Sequence, residues 1–352
     1  MKNKIIIYPT IKEMENRYVN NLYKTIMDTY EVKGYDEIEN LKERLNADIY
    51  HFNWIESENE KGIKRKINYI KKIVFIEFLK IKNKKIIWTV HNNVPHEIQR
   101  NKTIINFMRF MAKKSDKIHI LCNETINNEY LQKYKDKIVY IPHGDYINNY
   151  EKSNVNIYER YKIGKDKKIM LFIGQVKKYK NIELLIKAFK DSKLEDSKFL
   201  LLICGKCNDK AYKEELEKLS NKNILFDFNF IKDEEMEAYL RSSQIVVAPY
   251  NKESSLNSGT LWMCMSYSKT MILPLIGCIK DIKNYDDFLY TYDYEDEKLH
   301  YDALLKCLLK VKLDINTEPN ILDNKGIQAY EYIVKNQTWK IFREKWGNLY
   351  KF

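Results

Sequence analysis

Four of the chain's six histidines stand where short apolar runs end, with carboxylates beside them. The run 49–52 carries His51 and leads into Asn53, Trp54, Ile55 and Glu56. The run 86–90 leads into His91, then Pro95, His96 and Glu97. The run 138–141 leads into Pro142, His143, Gly144 and Asp145. Each run has the length and composition of a buried strand. In parallel α/β sheets, ligands bind just outside the carboxyl ends of strands. A histidine or carboxylate placed there can take a proton from a substrate hydroxyl. His91, Glu97, Glu56 and Asp145 are the candidates for such a base, and His91 comes first because it follows its strand directly. The alternative for any single histidine is a hydrogen-bonded structural role. The histidine spacing matches no standard zinc pattern, so no metal is expected.

The second half offers cations and helix starts instead. The run 169–173 leads into Gly174, which allows a tight turn, then Lys177 and Lys180, then a helical pattern. Lysines just before a helix N-terminus complement a diphosphate, and the free N–H groups of the helix add to this. The run 245–248 leads into Pro249 and Tyr250. Ser254 to Thr260 follow, then the helical stretch 261–267. Ser258, Gly259 and Thr260 place small side chains and backbone N–H groups where phosphate oxygens could sit. Ordinary surface lysines, and a plain N-cap by Asn257 or Ser258, are the competing explanations. Cys204 and Cys207 form a CxxC without a second pair, and Cys204 closes an apolar run as a strand end would.

Positioning these groups requires a regular scaffold. Strands are expected at 5–8, 49–52, 86–90, 118–121 and 138–141, then at 169–173, 199–204, 224–226, 245–248 and 271–273. Amphipathic helices are expected between them, among others at 17–29, 104–114, 182–191, 211–219 and 234–241. Strands that alternate with helices indicate βαβ units and parallel sheets, and nearly all-apolar strands indicate sheets covered on both faces. The polar stretch 144–168 is the expected linker between two doubly wound domains facing each other across a cleft. The tail, 339–350, reads as an aromatic amphipathic helix capped by Thr338 or Asn336.

Composition narrows the class. The chain has 352 residues, 44% of them hydrophobic and 31% charged, so it folds around a sizeable core and is not disordered. No apolar run is long enough to span a membrane, and a cytosolic location is expected. With 10 glycines and neither a GxGxxG nor a P-loop string, neither phosphate-binding fingerprint is present. The net charge is +12. Its densest source is 61–85, with ten basic residues and one acid, Glu77, and with Ile63, Ile67, Ile70, Val74, Phe75, Phe78 and Leu79 at helical spacing. This is an amphipathic helix with a cationic face. That face is either a solvated surface on a packed helix or an attractor of anionic lipid headgroups or a diphosphate-bearing acceptor. No nucleic-acid motif accompanies the charge, so nucleic acid is not an expected partner.

Residues 174–189, GQVKKYKNIELLIKAF, resemble the opening of the C-terminal domain of family 4-type GT-B glycosyltransferases. LLICGK (201–206), ILFDFNFIKDEEMEAYL (224–240), IVVAPY (245–250) and NSGTLWMCMSYSKTMILP (257–274) follow in the same order. ADIYHFNWIE (47–56), TVHNNVPHE (89–97) and IPHGDY (141–146) resemble bacterial exopolysaccharide and capsule glycosyltransferases. The resemblance implies an α/β fold of two Rossmann-like (GT-B) domains. Residues 1–150 would hold the acceptor, joined by the C-terminal helix 337–352 crossing back, and 166–334 would hold a nucleotide-sugar donor. Donor contacts would come from Gly174, Lys177, Lys180, Tyr250, Asn257, Ser258, Gly259 and Thr260, with the base near Phe230 and Ile231. His51, Trp54, Glu56, His96, His143 and Asp145 would lie on the acceptor side, with His91 and Glu97 catalytic. Family 4 retaining enzymes usually carry two glutamates eight positions apart near this helix, and here those positions hold Ser255 and Met263, which leans toward an inverting reaction.

The implied function is metal-independent transfer of a sugar from a UDP- or GDP-sugar to a saccharide or polyprenyl-linked acceptor in surface polysaccharide synthesis. No cofactor is expected beyond that substrate. The expected location is cytoplasmic, peripheral on the inner face of an anionic membrane. A non-catalytic glycosyltransferase-like subunit or carbohydrate-binding scaffold, and a sugar-nucleotide epimerase, are the alternatives.

Overall fold

The computed structural model describes residues 2–11, 16–58, 60, 62–92, 102–252 and 255–352. The chain forms two compact units. One comprises Met1–Gly144, Glu253–Asn257 and Gln337–Phe352, and the other Asp145–Lys252 and Ser258–Asn336. Each is built on a parallel six-stranded sheet, as the alternating sequence pattern requires.

In the first unit the strands are β1 (Lys4–Tyr8), β2 (Glu31–Gly34), β3 (Ile49–Asn53), β4 (Lys85–Val90), β5 (Lys117–Ile120) and β6 (Ile138–Tyr140), in the order β2-β1-β3-β4-β5-β6. Helices α1 (Arg17–Ile26), α2 (Gly62–Ile81) and α3 (Lys102–Lys114) cover its faces. β-Branched residues such as Ile5, Ile7, Ile49, Ile87 and Val90 suit strands buried on both sides. The C-terminal helix, Trp339–Leu349, belongs to this unit. Thr338 caps it, its Oγ1 accepting from Ile341 N at 3.3 Å. Phe342, Trp346, Leu349 and Tyr350 pack with Tyr18, Val19 and Leu22 of α1 over Ile5, Ile7 and Ile49 of the sheet.

In the second unit the strands are β7 (Lys168–Ile173), β8 (Phe199–Cys204), β9 (Ile224–Asp227), β10 (Ile245–Val247), β11 (Met271–Pro274) and β12 (Tyr290–Tyr292), ordered β12-β11-β10-β7-β8-β9. Its helices include α4 (Ile182–Ser192), α5 (Lys210–Glu217), α6 (Asp233–Ser242), α7 (Gly259–Ser266), α8 (His300–Thr317) and α9 (Ile321–Asn336). All ten expected strands are present. The two unforeseen ones, β2 and β12, are short edge strands whose sequences, EVKG and YTY, lack a long apolar run.

Helix α2 departs from the sequence reading. Most of the apolar residues that defined its expected stripe do not face the core. Tyr69, Ile76 and Leu79 are buried, while Ile63, Ile67, Ile70, Val74 and Phe78 are exposed, as is Ile81. Lys72 turns inward, its Nζ donating to the carbonyls of Ile55 at 2.8 Å and Ser57 at 3.0 Å. The helix is apolar on two opposite faces, so apolar spacing alone does not say which one packs.

Candidate functional site

A parallel sheet offers a natural crevice where its strand order reverses, because the loops leaving the two strands there turn to opposite sides. In the second unit the chain runs β7, β8, β9 to one edge and then returns to place β10 on the other side of β7. The exits of β7 and β10 are therefore the switch point.

That point holds the expected donor residues. Gly174 follows β7 with φ +138° and Gly205 follows β8 with φ +141°. A Cβ on Gly205 would lie 1.9 Å from the Gly174 carbonyl oxygen, so neither the backbone angle nor the space admits another residue there. Asn181 Nδ2 donates to the Pro249 carbonyl at 3.0 Å, which ties the turn after β7 to the turn after β10. Lys180 Nζ lies 4.1 Å from the centre of the Tyr250 ring. Lys177 flanks the same turn, near Tyr179. Ser258 caps α7, accepting from Leu261 N at 3.1 Å, and its hydroxyl approaches Tyr250 Oη at 3.4 Å. Gly259 is exposed and Thr260 half-buried at the first turn of α7, where backbone N–H groups lack helical partners. A cation, a helix N-terminus and a hydroxyl thus converge on one strand edge, an arrangement suited to a phosphate group.

Phe230 and Ile231 leave β9, which β8 separates from β7 by two strand spacings, about 10 Å. Phe230 is 68% exposed and Ile231 is buried. Asn257, expected among the donor contacts, groups with the first unit, where its Nδ2 donates to the His91 carbonyl at 3.2 Å. Asp145 belongs to the second unit and accepts from Ile147 N at 2.9 Å within its own turn.

In the first unit the order reverses between β1 and β3. Trp54 leaves β3 with φ +49°, a rare conformation for a bulky residue and one that marks a constrained site. Its ring stacks on His91 at the exit of β4, centroids 3.7 Å apart and planes 16° apart. Tyr18 of α1 meets both rings edge-on. Asn53 Nδ2 donates to the Tyr8 carbonyl at 3.2 Å, so Asn53 Oδ1 faces His91 Nε2 at 3.0 Å and accepts from it. This selects the Nε2–H tautomer and leaves Nδ1 as the basic nitrogen. Burial, and then the neighbouring imidazoles of His119, His143 and His51, hold the His91 pKa well below the ordinary 6.5.

The other expected groups are more enclosed. His51 is fully buried between Tyr350 Oη and Thr89 Oγ1, both at 2.6 Å, and Thr89 continues to His119 at 2.9 Å. His119 ends this chain on the Ile141 carbonyl at 2.8 Å. Glu56 is buried against Trp88 Nε1 at 3.2 Å, and desolvation raises its pKa. His143 Nδ1 lies 2.6 Å from the Gly144 carbonyl, and burial lowers its pKa to about 4. His96 and Glu97 lie outside the described residues. Among the described residues, no cluster of three or more His, Cys, Asp or Glu could hold a metal ion. The sequence reading missed Asn53 and Asn181, each adjacent to a selected residue, because an amide beside a turn carries no signal of its partner. It also missed Tyr18, which sits inside an ordinary helical pattern.

Comparison with known proteins agrees with the fold. The family described as Glycosyl transferases group 1 matches residues 155–255. No curated protein matches. Among solved structures, sucrose-phosphate synthase from Thermosynechococcus elongatus superposes with a TM-score of 0.74 at 14% identity, over 99% of this chain and 98% of that one. Anabaena HepE, in complex with UDP and glucose, gives 0.68 at 9% identity over 98% of both chains. WaaG, a glycosyltransferase of lipopolysaccharide biosynthesis, gives 0.64 at 12% identity, over 98% of this chain and 99% of that one. The resemblance implied by the motifs is therefore borne out: the chain has the α/β GT-B glycosyltransferase fold, and its second unit carries the match to the group 1 glycosyl transferases.

Proposed function

We propose that this protein transfers a sugar from a nucleoside-diphosphate sugar to a saccharide acceptor. The observation that carries the reading is the Lys180–Tyr250–Ser258 arrangement at the β7/β10 switch point, beside the N-terminus of α7. An ammonium and helix N–H groups there would bind the donor diphosphate and stabilise it as it departs. A UDP-sugar is the favoured donor, since HepE, of the same fold, binds UDP and UDP-glucose. His91 acts as general base toward the acceptor hydroxyl, with Trp54 as the ring beside it. The acceptor is lipid-linked, in the manner of surface polysaccharide synthesis, and the reaction needs no metal.

The test is nucleotide release measured with and without saccharide acceptors, alongside thermal shifts with UDP, GDP, CMP and dTDP. A bound nucleotide at 100 times its Kd stabilises a fold by about 2.7 kcal/mol. Lys180→Ala should weaken UDP binding roughly 10- to 100-fold, the loss of a charge-assisted hydrogen bond. No nucleotide-dependent shift in the parent would overturn the reading. A second reading, a non-catalytic glycosyltransferase-like subunit or carbohydrate-binding scaffold, is favoured by one observation: Ser255 and Met263 are both buried and offer no carboxylate. Weak or absent nucleotide binding with no acceptor-dependent release would support it.

A further inference from the structure

Helix α2 exposes a continuous apolar ridge. Ile63, Ile67, Ile70, Val74, Phe78 and Ile81 recur at steps of three or four residues, and each is between 36% and 76% exposed. At 3.6 residues per turn they fall within an arc of roughly 80°, over about 27 Å of helix. The buried residues Tyr69, Ile76 and Leu79 lie on the opposite side. Isolated exposed apolar residues are ordinary, but an aligned row of six is not.

The charges beside the ridge are mostly cationic. Lys64, Lys71 and Lys82 border one side and Lys66 the other, all exposed. The acid nearest the ridge, Glu77, is paired with Lys114 Nζ at 2.6 Å. An apolar ridge with cationic borders fits a surface that is oily inside and anionic at its boundary. A second copy of the same helix would set lysine borders against lysine borders.

We infer that α2 lies along an anionic lipid bilayer, its apolar ridge below the headgroups and its lysines among them. The helix is also tied to the candidate acceptor-side loop. Tyr69 Oη donates to the Glu56 carbonyl at 2.5 Å, and Lys72 Nζ to those of Ile55 and Ser57. Docking therefore fixes the loop that presents Trp54 relative to the lipid surface. This deepens the proposed function by naming the surface that would meet a lipid-linked acceptor. It rests on that reading for its purpose and not for its test.

The test uses the full chain and vesicles of phosphatidylcholine with or without phosphatidylglycerol. The parent should co-sediment with the anionic vesicles and much less with the neutral ones. Ile70→Glu combined with Val74→Glu should reduce binding at least 10-fold even at low salt. Lys64→Gln with Lys71→Gln and Lys82→Gln should reduce it and remove most of its salt dependence. All these residues are exposed, so the melting temperature should stay near the parent's, and nucleotide-induced thermal shifts should be unchanged. Absence of parental binding, or binding indifferent to the two glutamates, overturns the inference. So does a dimer in solution that the glutamates dissociate without any vesicle binding. Vesicle binding without nucleotide binding would instead defeat the proposed chemistry and leave the docking surface standing.

Discussion

His91 combines a fixed tautomer with a pKa held below the ordinary range, and both bear on its use as a base. Asn53 accepts the Nε2 proton, so Nδ1 is the nitrogen left to act. A base must be unprotonated, and a lowered pKa keeps His91 unprotonated to lower pH. The acid limb of the kcat/KM profile should therefore fall below pH 6.5, and His91→Ala should lower turnover about 10²- to 10⁴-fold while UDP affinity stays. A pH–rate profile paired with nucleotide titration checks this; near-parental turnover in the variant would move the base elsewhere. The buried histidines carry a second consequence. Burial lowers the pKa of His119 and of His143 to about 4. The unfolded chain takes up protons near pH 6.5 that these rings refuse when folded, so stability is full above that pH and falls as the pH drops toward 4. Each ring contributes a loss on the order of 3 kcal/mol by pH 4. Urea unfolding across this window should show the decline; a flat profile would contradict it.

At the scale of elements, the turns after β7 and β8 are the least replaceable pieces. Gly205 has both a left-handed backbone and a carbonyl 1.9 Å from where a Cβ would sit. Gly205→Ala should cost upwards of about 2 kcal/mol and, by moving the Gly174 carbonyl, should also weaken nucleotide binding. Paired melting and UDP titration separate the two effects; an undisturbed melt would show that the turn can relax. The strands with long apolar runs were legible because burial on both faces demands such runs. β2 and β12 were not, because an edge strand is recruited by its neighbour's backbone and needs few apolar residues of its own. The packed face of α2 was not legible either, since both of its sides are apolar and only contacts with the sheet choose between them.

At the scale of the whole molecule, the first unit is assembled from segments far apart in the chain. The first unit is completed only when the C-terminal helix packs Trp346, fully buried, over its sheet. Trp346→Ala should cost about 3–5 kcal/mol. The loss should be local, with amide exchange speeding up in β1 to β6 while β7 to β12 keep the protection they have in the parent. Hydrogen exchange read by mass spectrometry checks this, and uniform loss across both sheets would show that the units unfold together. None of the described helices is long and apolar enough to cross a membrane.

The sequence by itself determined the class of fold and the addresses of the candidate residues. Strand and helix periods are local properties, and a parallel sheet puts chemistry at strand exits whatever its strand order, so His91, Trp54, Lys180 and Ser258 could be singled out one by one. The tertiary structure decided which of them lie together. Strand order placed the β7 and β10 exits side by side and so joined Lys180 to Tyr250 and Ser258. It drew His51 into a buried chain with Thr89, His119 and Tyr350, and it tied Asn257 to the His91 carbonyl. Those outcomes depend on pairings between residues far apart in the chain, and no local pattern encodes them.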